Sequence, residues 1–316
     1  MQPPLDRRVI PPAATEGRWR AADGHAIRRI DWPGAGAAPR GAILFLPGRG
    51  DFYEKYLETL EQWHRAGWRV TAADWRGQGG SGRLGDDPFT GHVDDFAHWV
   101  ADLGAFWRDW RSATPGPHVI IGHSMGGHIA LRAVIERAVD PAALVLVAPM
   151  LRMAGPDLPL PMLHVVARMM GIVGNPRRPA WQGSEKPGEV PLRRSSLLTH
   201  DADRYEDELW WRNHRPEVAM GPGSWGWVAQ AYASIRRIER PGAMEQVTIP
   251  VLLLSTTHDR LVRHDAVERA ASRLPKAELI AFGSEVRHEI LREVDAVRDQ
   301  AMAGIAEFLD RAAPHP

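Results

Sequence analysis

The segment His118-Val-Ile-Ile-Gly-His-Ser-Met-Gly-Gly-His-Ile-Ala130 decides the fold. A short β-branched run leads into Gly122-His-Ser124-Met-Gly126, and a helical pattern follows. A strand that turns into a helix through G-x-S-x-G is the context of a nucleophile elbow. The sharp turn lifts the serine hydroxyl above the sheet and aims the amino end of the next helix at the reacting carbonyl. The bland alternative is a glycine-rich turn with a serine helix cap; the strand before and the helix after favour the elbow.

Working outward, apolar runs and helical patterns alternate. Residues 42–46, 69–75, 118–121 and 142–147 read as strands, with helices over 54–66, 92–111 and 125–136. In the second of these helices Val93, Phe96, Val100, Leu103, Trp107 and Trp110 recur at spacings of three and four, which makes one apolar face. The alternation stops at Pro149 and resumes with a strand at 250–254, a helix near 265–273, a strand at 278–281 and a last helix near 294–309. This pattern predicts an α/β fold: a mostly parallel sheet flanked by helices. Upstream, Gly17 to Asp31 reads as a hairpin turning at Asp23-Gly24, after a loose lead-in and before a Gly/Ala/Pro linker at 33–40. Residues 151–240 are rich in Pro, Gly and Trp, with helical pieces near 162–172 and 202–214, and read as a mostly helical cap over the carboxyl edge of the sheet. The catalytic domain is then discontinuous, 1–150 and 241–316, around a cap at 151–240.

Composition narrows the chemistry. The 316 residues balance 39 basic against 39 acidic side chains, so no long-range field attracts nucleic acid. The absence of cysteine removes thiol nucleophiles, thiolate zinc and iron–sulfur clusters. Fourteen histidines show no H-E-x-x-H or clustered ligand spacing, so neither metal nor cofactor is expected. No apolar window is long enough to span a bilayer, and the N-terminus lacks the apolar core of a signal peptide. A cytoplasmic protein is expected, with a peripheral contact at the inner membrane left open and the oligomeric state undetermined.

A serine attacks only with a base, and the base needs an orienting acid. On this fold they follow in the order Ser, Asp/Glu, His, at the ends of later strands. Asp259 follows the 250–254 strand and His288 follows the 278–281 strand, so the candidate triad is Ser124, His288 and Asp259. The transition state also needs oxyanion donors. The N–H of Met125, next to the nucleophile, is one; the N–H of Arg49, in Pro47-Gly-Arg-Gly50, is the other candidate. The Arg49 side chain reads either as a solvated loop charge or as an attraction for a substrate phosphate.

With these residues in place, the sequence resembles the cap-bearing serine hydrolases of the α/β-hydrolase superfamily, in the lysophospholipase L2 and monoacylglycerol lipase-like group. The matching stretches cover most of the chain: Leu46-Pro-Gly-Arg-Gly-Asp-Phe-Tyr-Glu-Lys-Tyr56, Asp74-Trp-Arg-Gly-Gln-Gly-Gly-Ser81, the elbow, Leu198-Thr-His-Asp-Ala-Asp-Arg204, Gly221-Pro-Gly-Ser-Trp-Gly-Trp227 and Arg287-His-Glu-Ile-Leu-Arg-Glu293. The elbow is common to many esterases, whereas the cap segment and the His-Glu-Ile-Leu ending are narrower. Pro47-Gly48 stands where monoacylglycerol lipases carry His-Gly, which favours the lysophospholipase-like branch. The resemblance implies a serine carboxylic ester hydrolase that forms an acyl-enzyme on single-chain lipid esters, lysophospholipid or monoacylglycerol.

Trp211, Trp225 and Trp227, with Met162 and Met169 in the apolar stretch 160–173, are candidates for the acyl-binding wall or an interfacial lid, although packing explains cap tryptophans as readily. The residues alone also leave room for an amidase or aminopeptidase, a haloperoxidase-like activity, or a non-catalytic binding protein of the same fold.

Overall fold

The computed structural model of the protein describes residues 5–34, 39–181 and 192–314; the central part of the expected 33–40 linker lies outside them. The expected strands join into one eight-stranded sheet. They are β1 (Thr15–Arg20), β2 (Ala26–Trp32), β3 (Ala42–Leu46), β4 (Arg69–Ala73), β5 (His118–His123), β6 (Ala143–Val147), β7 (Val251–Thr256) and β8 (Ala277–Phe282), in the order β1-β2-β4-β3-β5-β6-β7-β8. β1 and β2 form the antiparallel hairpin, β2 pairs antiparallel with β4, and every other pairing is parallel. β3, β6 and β7 are buried along their whole length, which is why they read as unbroken apolar runs.

Helices cover both faces: α1 (Leu57–Arg65), α2 (Phe96–Ala113), α3 (Met125–Ile135), α8 (His264–Arg273) and α9 (Asp295–Ala312). Between β6 and β7 run α4 (Leu160–Ile172), α5 (Leu192–Leu198), α6 (Ala202–His214) and α7 (Trp225–Ile238). α4 and α7 pack on each other, and α7 also rests on α2 and α3. α6 packs instead on the 3₁₀ turn Tyr53–Tyr56 that precedes α1.

Three expectations need correction. α2 begins at Phe96, not His92: Asp95 caps it by accepting the Ala97 N–H at 2.7 Å. His92 is held outside the helix by Ser224 Oγ at 2.7 Å, beside a bridge from Gly91 to Gly223. Within the N-terminal lead-in, residues 5–14 are tied down, since Arg7 and Arg8 pair with Asp207 at 2.5 and 2.6 Å and Leu5 and Ile10 pack on the core. α7 is a helix that the Gly/Pro/Trp composition of its approach conceals. Its signals are the Ser224 cap, accepting the Trp227 N–H at 3.0 Å, and Trp227, Ala231, Ile235 and Ile238 at spacings of four and three.

Candidate active site

Ser124 sits between β5 and α3 with φ 50° and ψ −117°, a strained backbone that a non-glycine residue rarely adopts. Two glycines make the turn passable. A Cβ at Gly126 would meet the Leu46 carbonyl at 2.2 Å, and one at Gly122 would meet the Gly127 backbone at 2.7 Å. The Ser124 N–H donates to Val147 O at 2.9 Å, and its carbonyl accepts from Met150 at 3.0 Å, so the neighbouring strand holds the corner.

Because β5, β7 and β8 run parallel, their carboxyl ends share one edge and the loops after them converge. Asp259 follows β7, and its Oδ2 lies 2.7 Å from His288 Nδ1. The other carboxylate oxygen accepts the N–H groups of Leu261 and Val262, at 2.8 and 3.0 Å. Thr256 Oγ1 lies 2.8 Å from Gly283 O and 2.9 Å from Val286 O, which fixes the loop that carries His288. His288 is buried, and its ring lies 4.9 Å from that of His123, the residue before Ser124. Burial works to raise the Asp259 pKa, but the His288 charge and hydrogen bond and the two amides bring it below the ordinary value. For His288, burial opposes the imidazolium; the charge and hydrogen bond of Asp259, aided by Glu289 and Asp51, outweigh it and raise the pKa.

The loop after β3 lies against Ser124: a Cβ at Gly48 would come 3.1 Å from Ser124 Cβ. Its amides are held in place. Gly48 N–H donates to Asp51 Oδ2 at 3.1 Å and Gly50 N–H to Gln78 Oε1 at 2.7 Å, while Trp75 Nε1 donates to Pro47 O at 2.7 Å. Gln78 also reaches Met125 Sδ at 3.7 Å, so it touches both stretches expected to bind the oxyanion. The Arg49 guanidinium donates to Gly221 O at 2.9 Å and lies over the rings of Trp181 and Trp227 at 5.1 and 5.5 Å, which ties the loop to the segment between β6 and β7.

The expected acyl-wall residues divide. Trp227 is buried beside Arg49 and Phe96, and Trp225 is half-buried under Arg178. Trp211 packs on Trp210 and donates to Arg7 O at 2.9 Å, so its role is to seat the N-terminal segment. Met162 and Met169 face outward, 51% and 56% exposed, because Leu160, Leu163 and Ala167 form the stripe by which α4 meets α7. Among the described residues no group of three or more His, Asp or Glu side chains is arranged to hold a metal.

The family model described as serine aminopeptidase, S33, matches residues 37–295. The chain belongs to this α/β-hydrolase family. It is 31% identical over 280 residues to lysophospholipase L2 of Escherichia coli K12, covering 85% of this chain and 80% of the relative. Monoglyceride lipase of Rattus norvegicus is 26% identical over 241 residues, covering 76% and 72%. The crystal structure of a soluble variant of monoglyceride lipase from Saccharomyces cerevisiae in complex with a substrate analog superimposes with a TM-score of 0.75 at 17% identity, over 96% of each chain, and bears on the fold alone. Family and relatives together make the chain a serine ester hydrolase.

Sequence reasoning passed over Asp51, Lys55, Gln78, Glu208 and Glu289. For Asp51, Lys55 and Glu289 the signal was present in Gly50-Asp-Phe-Tyr-Glu-Lys-Tyr56 and in the acid after His288, but charges in such stretches read as solvated until tertiary structure buries them. Two segments singled out by the resemblance also meet in space. Thr199 Oγ1 donates to Arg292 O at 2.7 Å, His200 N–H to Glu293 at 3.0 Å, and Arg204 to Glu293 O at 2.8 Å.

Proposed function

We propose that the protein hydrolyses single-chain lipid esters, lysophospholipid or monoacylglycerol, through an acyl-enzyme on Ser124. The observation that carries this reading is the 2.7 Å contact of His288 Nδ1 with Asp259 at the sheet edge that holds Ser124 in its strained turn. Ser124 Oγ attacks the acyl carbonyl, His288 takes its proton and returns it to the leaving alcohol, and Asp259 holds the imidazole in the required tautomer. The N–H groups of Arg49 and Met125 receive the oxyanion, and water then releases the acyl group. The core at 1–150 and 241–316 supplies these groups, and the cap at 151–240 covers them. The names of the relatives support the choice of lipid ester.

The outer face of α4 supports a peripheral membrane contact through which such a substrate arrives. Val165, Val166, Met169, Ile172 and Val173 are exposed there, the last two 77% and 81%, and the helix carries no acidic residue. No helix among the described residues is long and apolar enough to cross a membrane.

The test is a panel of acyl esters turned over by wild type and Ser124→Ala. Turnover should disappear in the variant; equal rates would sink the mechanism. The raised His288 pKa places the acid limb of kcat/KM above about pH 6.5, where the free base exists. The family description favours one second reading, hydrolysis of an amino-terminal amide by the same triad; an amide panel beside the ester panel decides between them.

A further inference from the structure

Behind the triad lies a cluster of ionised side chains that the reaction scheme does not use. Lys55, whose side chain is fully buried, places Nζ 2.5 Å from Asp51, 2.6 Å from Glu289 and 3.0 Å from Glu208. These carboxylates come from three separate parts of the chain. Asp51 belongs to the loop after β3, and its second oxygen takes the Gly48 N–H and the Tyr56 hydroxyl, with His123 Nδ1 at 3.2 Å. Glu289 is the residue after His288. Glu208 belongs to the cap helix α6.

Burying such charges is costly unless each finds partners. Arg292 pairs with Glu289 and, at 3.0 Å, with Glu208; Arg212 reaches Glu208 at 2.9 Å, and Arg194 lies 3.9 Å from it. Apolar side chains of similar volume often replace a buried ion cluster without loss of stability, so the cluster is weak evidence for a purely stabilising role. The position of the cluster suggests another use: the three groups that Lys55 clamps sit next to the oxyanion loop, the general base and the cap.

Resting on the triad reading above, we infer that Lys55 is a positioning residue of the active site. Its ammonium holds the oxyanion loop, the His288 loop and helix α6 as one unit, and its charge sets the pH range over which His288 is free to accept a proton. The groups facing His288 are Asp259 from the loop after β7, Glu289 from its own loop, Asp51 from the loop after β3, and His123 from β5; Lys55, Tyr56 and Arg292 stand behind them. Asp51 and Glu289 favour the imidazolium, and Lys55 offsets their charge. Removing the ammonium exposes His288 to both carboxylates and raises its pKa; neutralising Glu289 lowers it. On this reading α6 is a fixed wall of the site and does not move as a lid.

The experiment compares wild type, Ser124→Ala, Lys55→Met and Glu289→Gln, each checked for a folded circular dichroism spectrum, on one soluble short-chain ester from pH 5 to 9. Expected are a kcat in Lys55→Met lower by about tenfold with KM little changed, as for a small misplacement of catalytic groups, and an acid limb of kcat/KM displaced to higher pH. In Glu289→Gln the limb moves to lower pH. A merely structural cluster lowers the melting temperature without moving either limb, and limbs that coincide with wild type in the folded variants overturn the inference. If only one of the two variants folds, its limb decides alone. If neither folds, the cluster serves stability alone and the inference falls. Residual turnover by Ser124→Ala is a separate failure, that of the triad reading itself.

Discussion

Two helices of the segment between β6 and β7, α4 and α6, solve opposite problems with opposite chemistry. α6 is polar in sequence yet buries Arg204, Glu208 and Arg212: Arg204 pairs with Glu58 and Asp295 of the core, Glu208 with Lys55 and Arg292, and Arg212 with Glu208 on its own helix. α4 is apolar in sequence yet exposes most of its length, packing only by Leu160, Leu163 and Ala167. Hydropathy alone would assign them the other way round. A surface helix normally hides its apolar stripe and shows its charges; α6 turns its charges inward because Lys55 and Arg292 wait beneath it. α4 leaves apolar side chains outside because the stripe that meets α7 uses only a third of them. α6 is tied to the core by charge, and α4 leaves an apolar face in solvent.

The comparison breaks most readily at Glu208. Glu208→Ala strips a buried carboxylate from Lys55, Arg212 and Arg292, and the expected loss is about 3–5 kcal/mol of unfolding free energy in urea titration. A loss below about 1 kcal/mol would mean that α6 is held by packing and not by charge. Next comes Thr199→Val, which keeps the shape but leaves the Arg292 carbonyl and the Asp201 N–H without the hydroxyl that both now use. About 1–2 kcal/mol should be lost, with an earlier thermal midpoint. The smallest effect on stability belongs to α4. Met169→Asp changes an exposed side chain, so unfolding should shift by no more than about 0.5 kcal/mol. Co-sedimentation with anionic phospholipid vesicles should nevertheless fall, and so should turnover of vesicle-borne substrate, while a soluble short-chain ester is processed at the wild-type rate. Unchanged vesicle binding would leave the exposed face without a lipid role.

Much of this was legible in the residues. Ala42–Leu46, Ala143–Val147 and Val251–Thr256 are buried on both faces, so their apolar runs need no alternation and stand out between helical patterns. Ser124, Asp259 and His288 are legible because each follows a strand of a parallel sheet, where chain order alone brings loops to one edge. The cap was harder. Trp211, Met162 and Met169 are large and apolar, which says that they want a partner but not which one; Trp211 found Arg7 and Trp210, and the methionines face outward. The start of α2 was misplaced for a similar reason, since His92 follows the helical spacing but is pinned by Ser224, 132 residues away.

The sequence by itself determined the sheet, its flanking helices and the placing of Ser124, Asp259 and His288 after strands, because these depend on local periodicity and on glycines that only one backbone turn can use. Tertiary structure alone decided which charges are buried. Lys55, Asp51, Glu208 and Glu289 lie as much as 238 residues apart in the chain, and a charged side chain becomes part of a core only when partners of opposite sign arrive from elsewhere to offset its desolvation.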